Sequence, residues 1–449
     1  MRIDVKNKKL LIKSLSRILN KDIKHQINGI SIDSRKIQKN DIFICLKGQK
    51  NHGNDFITTE LLTKVSLVIS DKKSKHCEIY KVKNSKEFLG NLAKEFRLKL
   101  KTKFIGITGT NGKTSTKELL AHILKTKFNV SYSKKSYNST VSLPLSILEC
   151  DEKSRFCILE MGASKSGEIE YLCDIANPDF GIVTNISKAH LDGFLNFKDL
   201  IETKMSLYDF INKYNGIYFQ NKDDKNIVID DSQSSKIVSF SMFDSNSDYY
   251  ADISCLEQGN IYINDSLFEM PYTSEIFALN FLSSYSIAST IGISNLEIKK
   301  ALSDFSIPNG RGNIIQVNNL KIINDTYNAN FESMKKGISQ LANYNDNTVK
   351  IKLVLADMLE LSDESEAIHA ELGRYINSLD FIDSVYGVGL KIKHTLENIN
   401  NPLILKRHYK HNKELIEYLE TTKIENSVVY LKGSRGMKLE QIIDYLNVK

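Results

Sequence analysis

The sequence predicts an α/β chain of three domains: a small N-terminal α/β domain, a central P-loop-type domain with a mainly parallel sheet, and a C-terminal Rossmann-like α/β domain. Three observations predict it. The length of 449 residues suggests about three domains at ~150 residues each. Short apolar, strand-like runs alternate with Lys-, Glu- and Leu-rich helical stretches, the pattern of sheets covered by helices. A glycine-rich loop joins one such strand to one such helix, the setting a phosphate-binding loop needs.

The first domain is expected over residues 1–100. It shows strand-like runs at 41–46 and 65–70 between polar turns, and closes with a helical stretch at 85–100. The second, 101–309, opens with a strand at 104–108, then the loop, then a helix near 114–125. Strands recur at 156–160 and 180–184, with helical segments at 168–175, 199–212 and, late in the block, 278–291. Strands alternating with helices imply a mainly parallel sheet. The third domain, 310–449, begins at the turn-rich joint Ile307-Pro-Asn-Gly-Arg311. Strand-like runs at 321–323, 349–355, 384–388 and 427–431, with helical patterns between them, read as a doubly wound unit. Joints near residues 100 and 310 would let the domains open and close.

Composition excludes several classes. Hydrophobic residues make up 41% and charged residues 26%, near the globular averages, so a disordered, collagenous or coiled-coil chain is excluded. Lys and Arg number 61 against 54 Asp and Glu, a net charge of +7. That excess makes no case for nucleic acid, but it suits an anionic substrate. No run of residues approaches the length and apolarity of a membrane helix, and the N-terminus lacks the apolar core of a secretory signal. The cysteines (Cys45, Cys77, Cys150, Cys157, Cys173 and Cys255) form no CxxC pair. Buried reduced thiols in a cytoplasmic chain are expected, rather than zinc ligands or disulfides.

The strongest local signal is Gly106-Ile-Thr-Gly109-Thr-Asn-Gly112-Lys113-Thr114. Glycines let backbone N–H groups approach phosphate oxygens, and the following helix N-terminus adds positive partial charge. Gly109, Thr110, Asn111, Gly112, Lys113, Thr114 and Ser115 would handle a nucleoside triphosphate, with Lys113 at the β/γ-phosphates and the Thr114 hydroxyl on Mg²⁺. The spacing departs from GxxxxGK[ST], which would need glycine where Ile107 stands. GTPase switches, motor ATPases, kinases and ligases all use such a loop. Glu160 ends a strand, where a further Mg²⁺ contact would sit; a helix cap or solvated carboxylate would use the same residue. His190 follows the next strand at the same sheet edge. Lys204 lies on the helix after that, where spacing proves no chemistry. In the third domain Asn324–Asn330, Asp357 and Lys432-Gly-Ser-Arg435 each follow a strand. Such clusters suggest one crevice, with basic residues there binding an anion. Residue chemistry alone reaches an ATP-using enzyme whose third domain also faces substrate.

Several segments together resemble a known family. They are Ser136-Tyr-Asn-Ser-Thr-Val-Ser-Leu-Pro144, Asp325-Thr-Tyr-Asn-Ala-Asn330, Asp357-Met-Leu-Glu-Leu361 with Glu364 and His369, and Lys432–Arg435. Thr108–Thr114, Glu160-Met-Gly162 and Asp33-Ser-Arg35 add to them. The combination is similar to the Mur ligases, cytoplasmic ATP-dependent amide-forming enzymes of peptidoglycan synthesis, and spans nearly the whole chain. The Asp-Asn-Pro-Arg segment of the member that adds the third amino acid is absent. The resemblance implies joining of D-alanyl-D-alanine to a UDP-N-acetylmuramoyl-tripeptide through an acyl phosphate, with the domains binding UDP-sugar, ATP and dipeptide in turn. It implies a cytoplasmic monomer with no nucleic-acid or membrane partner, and two Mg²⁺ ions.

By residue, the resemblance assigns Thr114, Glu160, His190 and a carbamylated Lys204 to metal, with Lys113, Lys204 and His190 as the catalytic set. Asn138 would lie near the tripeptide or metal, and Asn185 near the nucleotide. Arg311, Asp325, Tyr327 and Asn328 would complete the nucleotide site when the third domain closes. Asn330, Asp357, Ser434 and Arg435 would face the dipeptide or the acceptor carboxylate, and Ser34, Arg35 and Lys47 the UDP-sugar. The chain departs from the family at Ser139, Ser142, Phe331 and Ala356, and at Ile276 and Phe277, where a His-Asn pair is usual. The adenine contact would then fall to Asn280 in a shifted register. Two alternatives stay open: another amide ligase of the superfamily, such as a folate-polyglutamate or polyamino-acid synthase, and a non-catalytic ATP-binding scaffold.

Overall fold

The computed structural model describes residues 1–73, 79–188, 191–229, 236–345, 348–422 and 424–448. Three sheets follow one another along the chain. The first domain runs β1 (Arg2–Asp4), α1 (Lys8–Leu19), β2 (Gly29–Ser31), β3 (Asp41–Cys45), α2 (Thr59–Lys64), β4 (Val65–Ser70), β5 (Tyr80–Lys81) and α3 (Ser85–Arg97). Its strands lie in the order β1-β2-β3-β4-β5. Only the β1–β2 pair is antiparallel. Asp41 on β3 is fully buried and takes two bonds from the Arg2 guanidinium, at 2.7 and 3.1 Å. The Asn84 side chain caps α3 by accepting from the amides of Lys86 and Glu87, which supplies partners for N–H groups that a helix start leaves unpaired.

The central domain runs β6 (Lys103–Thr108), α4 (Lys113–Leu124), β7 (Val130–Tyr132), α5 (Ser142–Leu148), β8 (Phe156–Glu160), α6 (Glu168–Ala176), β9 (Phe180–Val183), α7 (Phe197–Lys213), β10 (Ile217–Asn221), β11 (Lys236–Ser241) and β12 (Tyr249–Asp252). The hairpin β13 (Asn260–Ile263) and β14 (Ser266–Glu269) and the helices α8 (Glu275–Ile291) and α9 (Asn295–Ser303) follow. The strands run β12-β11-β10-β9-β6-β8-β7, all parallel. Phe104, Ile105, Ile107, Ile158, Leu159, Ile182 and Val183 are buried, as expected of parallel strands covered on both faces. β6 lies between β8 and β9, so the connections to its two sides diverge at its C-terminal end. That opens a crevice beside the loop that follows β6.

The third domain runs β15 (Asn313–Val317), β16 (Leu320–Asp325), α10 (Phe331–Ser339), β17 (Lys350–Ala356), α11 (Ser365–Asn377), β18 (Ile382–Val388), α12 (Lys393–Glu397), β19 (Leu405–Tyr409), α13 (Asn412–Thr421), β20 (Ser427–Lys432) and α14 (Glu440–Val448). Its order is β15-β16-β20-β17-β18-β19. Only the β15–β16 hairpin is antiparallel. The two faces of the sheet carry separate cores. One centres on Leu353, Leu355, Val385 and Tyr430, the other on Ile322, Val354, Val429 and Leu431.

The packing divides the chain differently from its sheets. Met1–Asn185, Ile201–Ala251 and Phe281–Ala301 form one compact unit, and Ile186–Leu200, Asp252–Asn280 and Leu302–Lys449 another. The joint expected near residue 100 therefore lies inside the first unit. The reason is Arg97, at the end of α3 and only 6% exposed. Its guanidinium donates to the carbonyls of Ala176 and Asn177 at 2.8 and 2.9 Å and pairs with Asp179 at 3.0 Å. It also covers the Phe104 ring at 3.9 Å. A buried cation with this many partners is costly to pull free. No helix among the described residues is long and apolar enough to cross a membrane.

Candidate active site

The loop between β6 and α4 has a shape that its glycines make possible. Gly109 sits at φ +137°, and a Cβ there would meet the Thr184 hydroxyl at 2.0 Å. Gly112, at φ +81°, is the residue before the first turn of α4. The loop is braced from the end of β9. Thr110 N–H donates to the Asn185 carbonyl at 2.7 Å. Asn111 N–H donates to the Asn185 side-chain oxygen at 3.0 Å, and the Asn185 amide donates back to the Asn111 carbonyl at 3.0 Å. The Thr184 hydroxyl donates to the same carbonyl at 2.6 Å. Asn185, expected near the nucleotide, is thus the residue that holds the loop. Thr184 shares that work and was not marked by any motif.

The Lys113 ammonium lies over the loop, donating to the carbonyls of Gly109 and Thr110 at 2.7 and 2.9 Å. Thr114 donates its hydroxyl to one Glu160 oxygen at 2.7 Å, and the Asn138 amide donates to the other at 2.8 Å. Glu160 is 2% exposed. The helix-cap alternative therefore lapses: its two oxygens are engaged by Thr114 and Asn138 instead. A hydroxyl beside a carboxylate is a hard-oxygen donor set, the kind magnesium takes together with water and phosphate oxygens. Among the described residues no group of three or more His, Cys, Asp or Glu side chains could hold a metal, so any ion here would take most of its ligands from elsewhere. Ser115 is half-buried on the first turn of α4.

Lys204, on α7, is buried and donates to the Gly109 carbonyl at 3.1 Å. Burial, with the neighbouring Lys113 charge, brings its pKa down to about 7. A lysine poised there is a nucleophilic amine at neutral pH. His190 lies outside the described residues.

Two further groups of expected residues are placed separately. Ser34 and Arg35 follow β2, and Lys47 follows β3, its parallel neighbour. They stand beyond the same end of the first sheet. The exposed Arg35 guanidinium is clasped by Asp33 at 2.9 Å, which holds the Asp33 carboxyl well below the usual carboxylate range. In the third domain, β16, β20 and β17 are adjacent, so the clusters following them share one sheet edge. Asp325 accepts from Lys432 at 2.5 Å and from the Tyr430 hydroxyl at 3.0 Å. Lys432 also donates to the Asn328 carbonyl. Arg311 lies 3.9 Å above the Tyr327 ring and Arg435 5.5 Å from it, so one ring serves two guanidinium groups. Asn330 caps α10, accepting from Ser333 N–H at 2.9 Å. Asp357 is buried and accepts from the amides of Leu390, Lys391 and Ile392 at 3.0 Å or less. In this structure it shapes the turn after β18. Ser434 accepts from Leu359 N–H at 2.9 Å, tying the β17 and β20 loops together. Asn280 is buried on α8, and Phe277 packs with Tyr272 and Phe305.

His369 supports the Asp357 loop. Its Nδ1 donates to the Ser365 carbonyl at 2.7 Å, which leaves Nε2 to accept from Met358 N–H at 3.1 Å. Only the neutral ring can do both, and burial lowers its pKa from the ordinary value. Stability from this group is complete above about pH 6.5, the unfolded value, and is lost as pH falls below it toward the lowered folded value. Urea unfolding should therefore show His369→Gln losing less stability than the parent between pH 7 and 5.5. Parallel losses would remove His369 from the account.

Comparison with known proteins places this geometry. The Mur ligase middle domain matches residues 107–288, the Mur ligase glutamate ligase domain 310–435, and the Mur ligase family catalytic domain 26–97. A UDP-N-acetylmuramoyl-tripeptide–D-alanyl-D-alanine ligase of Bacillus subtilis is 31% identical, covering 93% of this chain and 92% of its own. The chain belongs to the Mur ligase family. A crystal structure of MurF from Acinetobacter baumannii superposes with a TM-score of 0.87 at 25% identity, covering all of both chains. MurF from Thermotoga maritima, in complex with ADP, gives 0.80 at 26% identity, over 93% of this chain and 97% of that one. In this Mur ligase the three matched segments fall in turn on the three sheets. Lys117, Thr184 and Tyr430 went unassigned from sequence because their contacts are to backbone carbonyls or to side chains distant in the chain; Lys432, expected to bind an anion, instead pairs with Asp325 in this structure.

Proposed function

We propose that this Mur ligase uses ATP to join D-alanyl-D-alanine to a UDP-N-acetylmuramoyl-tripeptide, in the synthesis of the peptidoglycan precursor in the cytoplasm. The observation that carries the proposal is full-length likeness to ligases of that name, together with the Lys113, Thr114, Asn138 and Glu160 cluster at the P-loop. Cell-wall growth, and with it cell shape and division, would depend on the product.

A carboxylate is a poor electrophile until one oxygen becomes a good leaving group. Transfer of the γ-phosphoryl group to the tripeptide carboxylate supplies one, and the dipeptide amine then displaces phosphate. Backbone amides of the loop and the N-terminus of α4 would cradle the triphosphate. Lys113 would place its charge against the transferring group, where such charge stabilises the transition state. Thr114 and Glu160, with a carbamylated Lys204 and His190, would hold two magnesium ions. Bound there, magnesium supplies charge neutralisation on the phosphate oxygens. Asn138 keeps Glu160 turned toward Thr114. Arg311, Asp325, Tyr327 and Asn328 would close over the nucleotide, and the loops after β16, β17 and β20, carrying Asn330, Asp357, and Ser434 with Arg435, would face the dipeptide or the acceptor carboxylate. Ser34, Arg35 and Lys47 would hold the UDP-sugar at the far sheet, and Asn280 would approach the adenine. We take the enzyme to be a monomer.

The deciding assay supplies purified protein with ATP, Mg²⁺, the tripeptide substrate and D-alanyl-D-alanine. Phosphate release that requires both the tripeptide and the dipeptide is expected. Release with glutamate and a folate acceptor instead would move the chain to a sister activity. ATP binding without turnover on any acceptor would mark a scaffold.

A further inference from the structure

The cluster at the P-loop includes no role for Lys117, yet this lysine is fully buried. It lies on α4, three residues beyond Thr114. Its ammonium donates to the carbonyls of Ser133 and Lys135, both at 2.6 Å, and pairs with Glu118 at 2.9 Å. The segment it grips, just after β7, is strained into a turn: Lys135 sits at φ +50°, and Tyr137 N–H closes on the Lys134 carbonyl at 3.2 Å. That turn delivers Asn138, whose amide holds a Glu160 oxygen and whose carbonyl accepts from Gly162 N–H at 2.9 Å. Ser133 takes part directly, its hydroxyl accepting from Glu160 N–H at 3.2 Å. A Cβ on Gly162 would meet the Asn138 side chain at 2.9 Å, so Asn138 fills its place closely.

Two routes therefore run from α4 to one carboxylate. Thr114 reaches Glu160 directly. Lys117 reaches it through the backbone of residues 133–138. A lysine is suited to this because one ammonium can donate three bonds and can satisfy two carbonyls at once. We propose that Lys117 is a positioning residue for the metal carboxylate: it pins the turn at 133–138 so that Asn138 and Glu160 keep the orientation magnesium requires. The proposal rests on the assignment of Glu160 to magnesium.

The test has two arms. Hydrogen exchange on metal-free protein reads the pinning itself. In Lys117→Met, amides of residues 133–138 and Gly162 should exchange at least about tenfold faster, while those of β6 and β9 stay as in the parent. Steady-state kinetics reads the consequence. The Mg²⁺ concentration for half-activity should rise about tenfold or more in Lys117→Met, with a smaller rise in Lys117→Gln, whose amide can still serve one carbonyl. In an Asn138→Ala background, Lys117→Met should add little, because both act along one route. If Lys117→Met does not fold, Lys117→Gln carries the same measurements. Unchanged exchange at 133–138, or full additivity with Asn138→Ala, overturns the proposal. Glu160→Gln separates the two layers. A magnesium requirement unaltered by Glu160→Gln overturns the metal assignment and the proposal with it. A requirement altered by Glu160→Gln but not by Lys117→Met overturns the proposal alone.

Discussion

Replacing Lys204 by alanine is expected to lower kcat by about 10²- to 10³-fold, the scale of losing one preorganised charged group at a reacting phosphate. Added short carboxylic acids should restore part of the activity. The reasoning starts from burial. Lys204 is enclosed beneath the P-loop, and burial together with Lys113 brings its pKa to about 7. Near neutral pH about half of the side chain is then the free amine. A free amine can attack carbon dioxide: an N–C bond forms, one proton leaves to solvent, and the neutral amine becomes a carbamate anion. Because only the neutral amine reacts, the modified fraction falls as pH drops below about 7. Activity in bicarbonate-free buffer should fall along the same limb. In Lys204→Ala the vacated space can admit acetate or propionate, which returns the missing carboxylate without the chain. Phosphate release measured with and without the acid decides it. Near-normal activity in the variant, with no response to acid, would remove the carbamate role.

The second large effect belongs to Lys113. Lys113→Ala should reduce kcat by about 10³-fold, comparable to withdrawing a positive charge from a transferring phosphoryl group. The loop should survive the change. Its geometry is set by the glycine conformations at Gly109 and Gly112 and by the braces from Thr184 and Asn185; the Lys113 ammonium adds only its bonds to the Gly109 and Thr110 carbonyls. Backbone amides would still bind the nucleotide, so KM for ATP should rise much less than kcat falls. Loss of binding and turnover in equal measure would instead mean that Lys113 serves to seat the nucleotide. A kcat within tenfold of the parent would remove it from the chemistry.

The alternation of strands and helices was legible because it is local. Runs such as Phe104–Thr108 and Phe156–Glu160 announce themselves by composition, and the glycines of the P-loop mark a backbone that no other residue could adopt. The two hairpins were equally local and went unread. Asn264 and Asp265 both have positive φ between β13 and β14, and Asn318 does so between β15 and β16, the conformation such turns demand. What sequence order could not give was adjacency. The Asp325, Asp357 and Lys432 clusters share an edge because β20 inserts between β16 and β17, a fact of topology with no local signature. Side-chain duties were hidden for the same reason. Motif position marked Asp357 but could not show that its carboxylate also accepts from three amides more than thirty residues away. Lys117 looked like any helical lysine until its carbonyl partners were in view.

The Arg97 anchorage has a consequence for how long a substrate can be. It fixes α3, and with it the first sheet, to the segment that leads into β9. The residues assigned to the UDP-sugar and those assigned to the triphosphate then belong to one body with a set span. On the proposed assignment, a peptide stem tethered at its nucleotide end would be measured against that span like a rod in a gauge. Stems one residue shorter or longer are then expected to be poor substrates in the same phosphate-release assay, whatever the identity of the last residue.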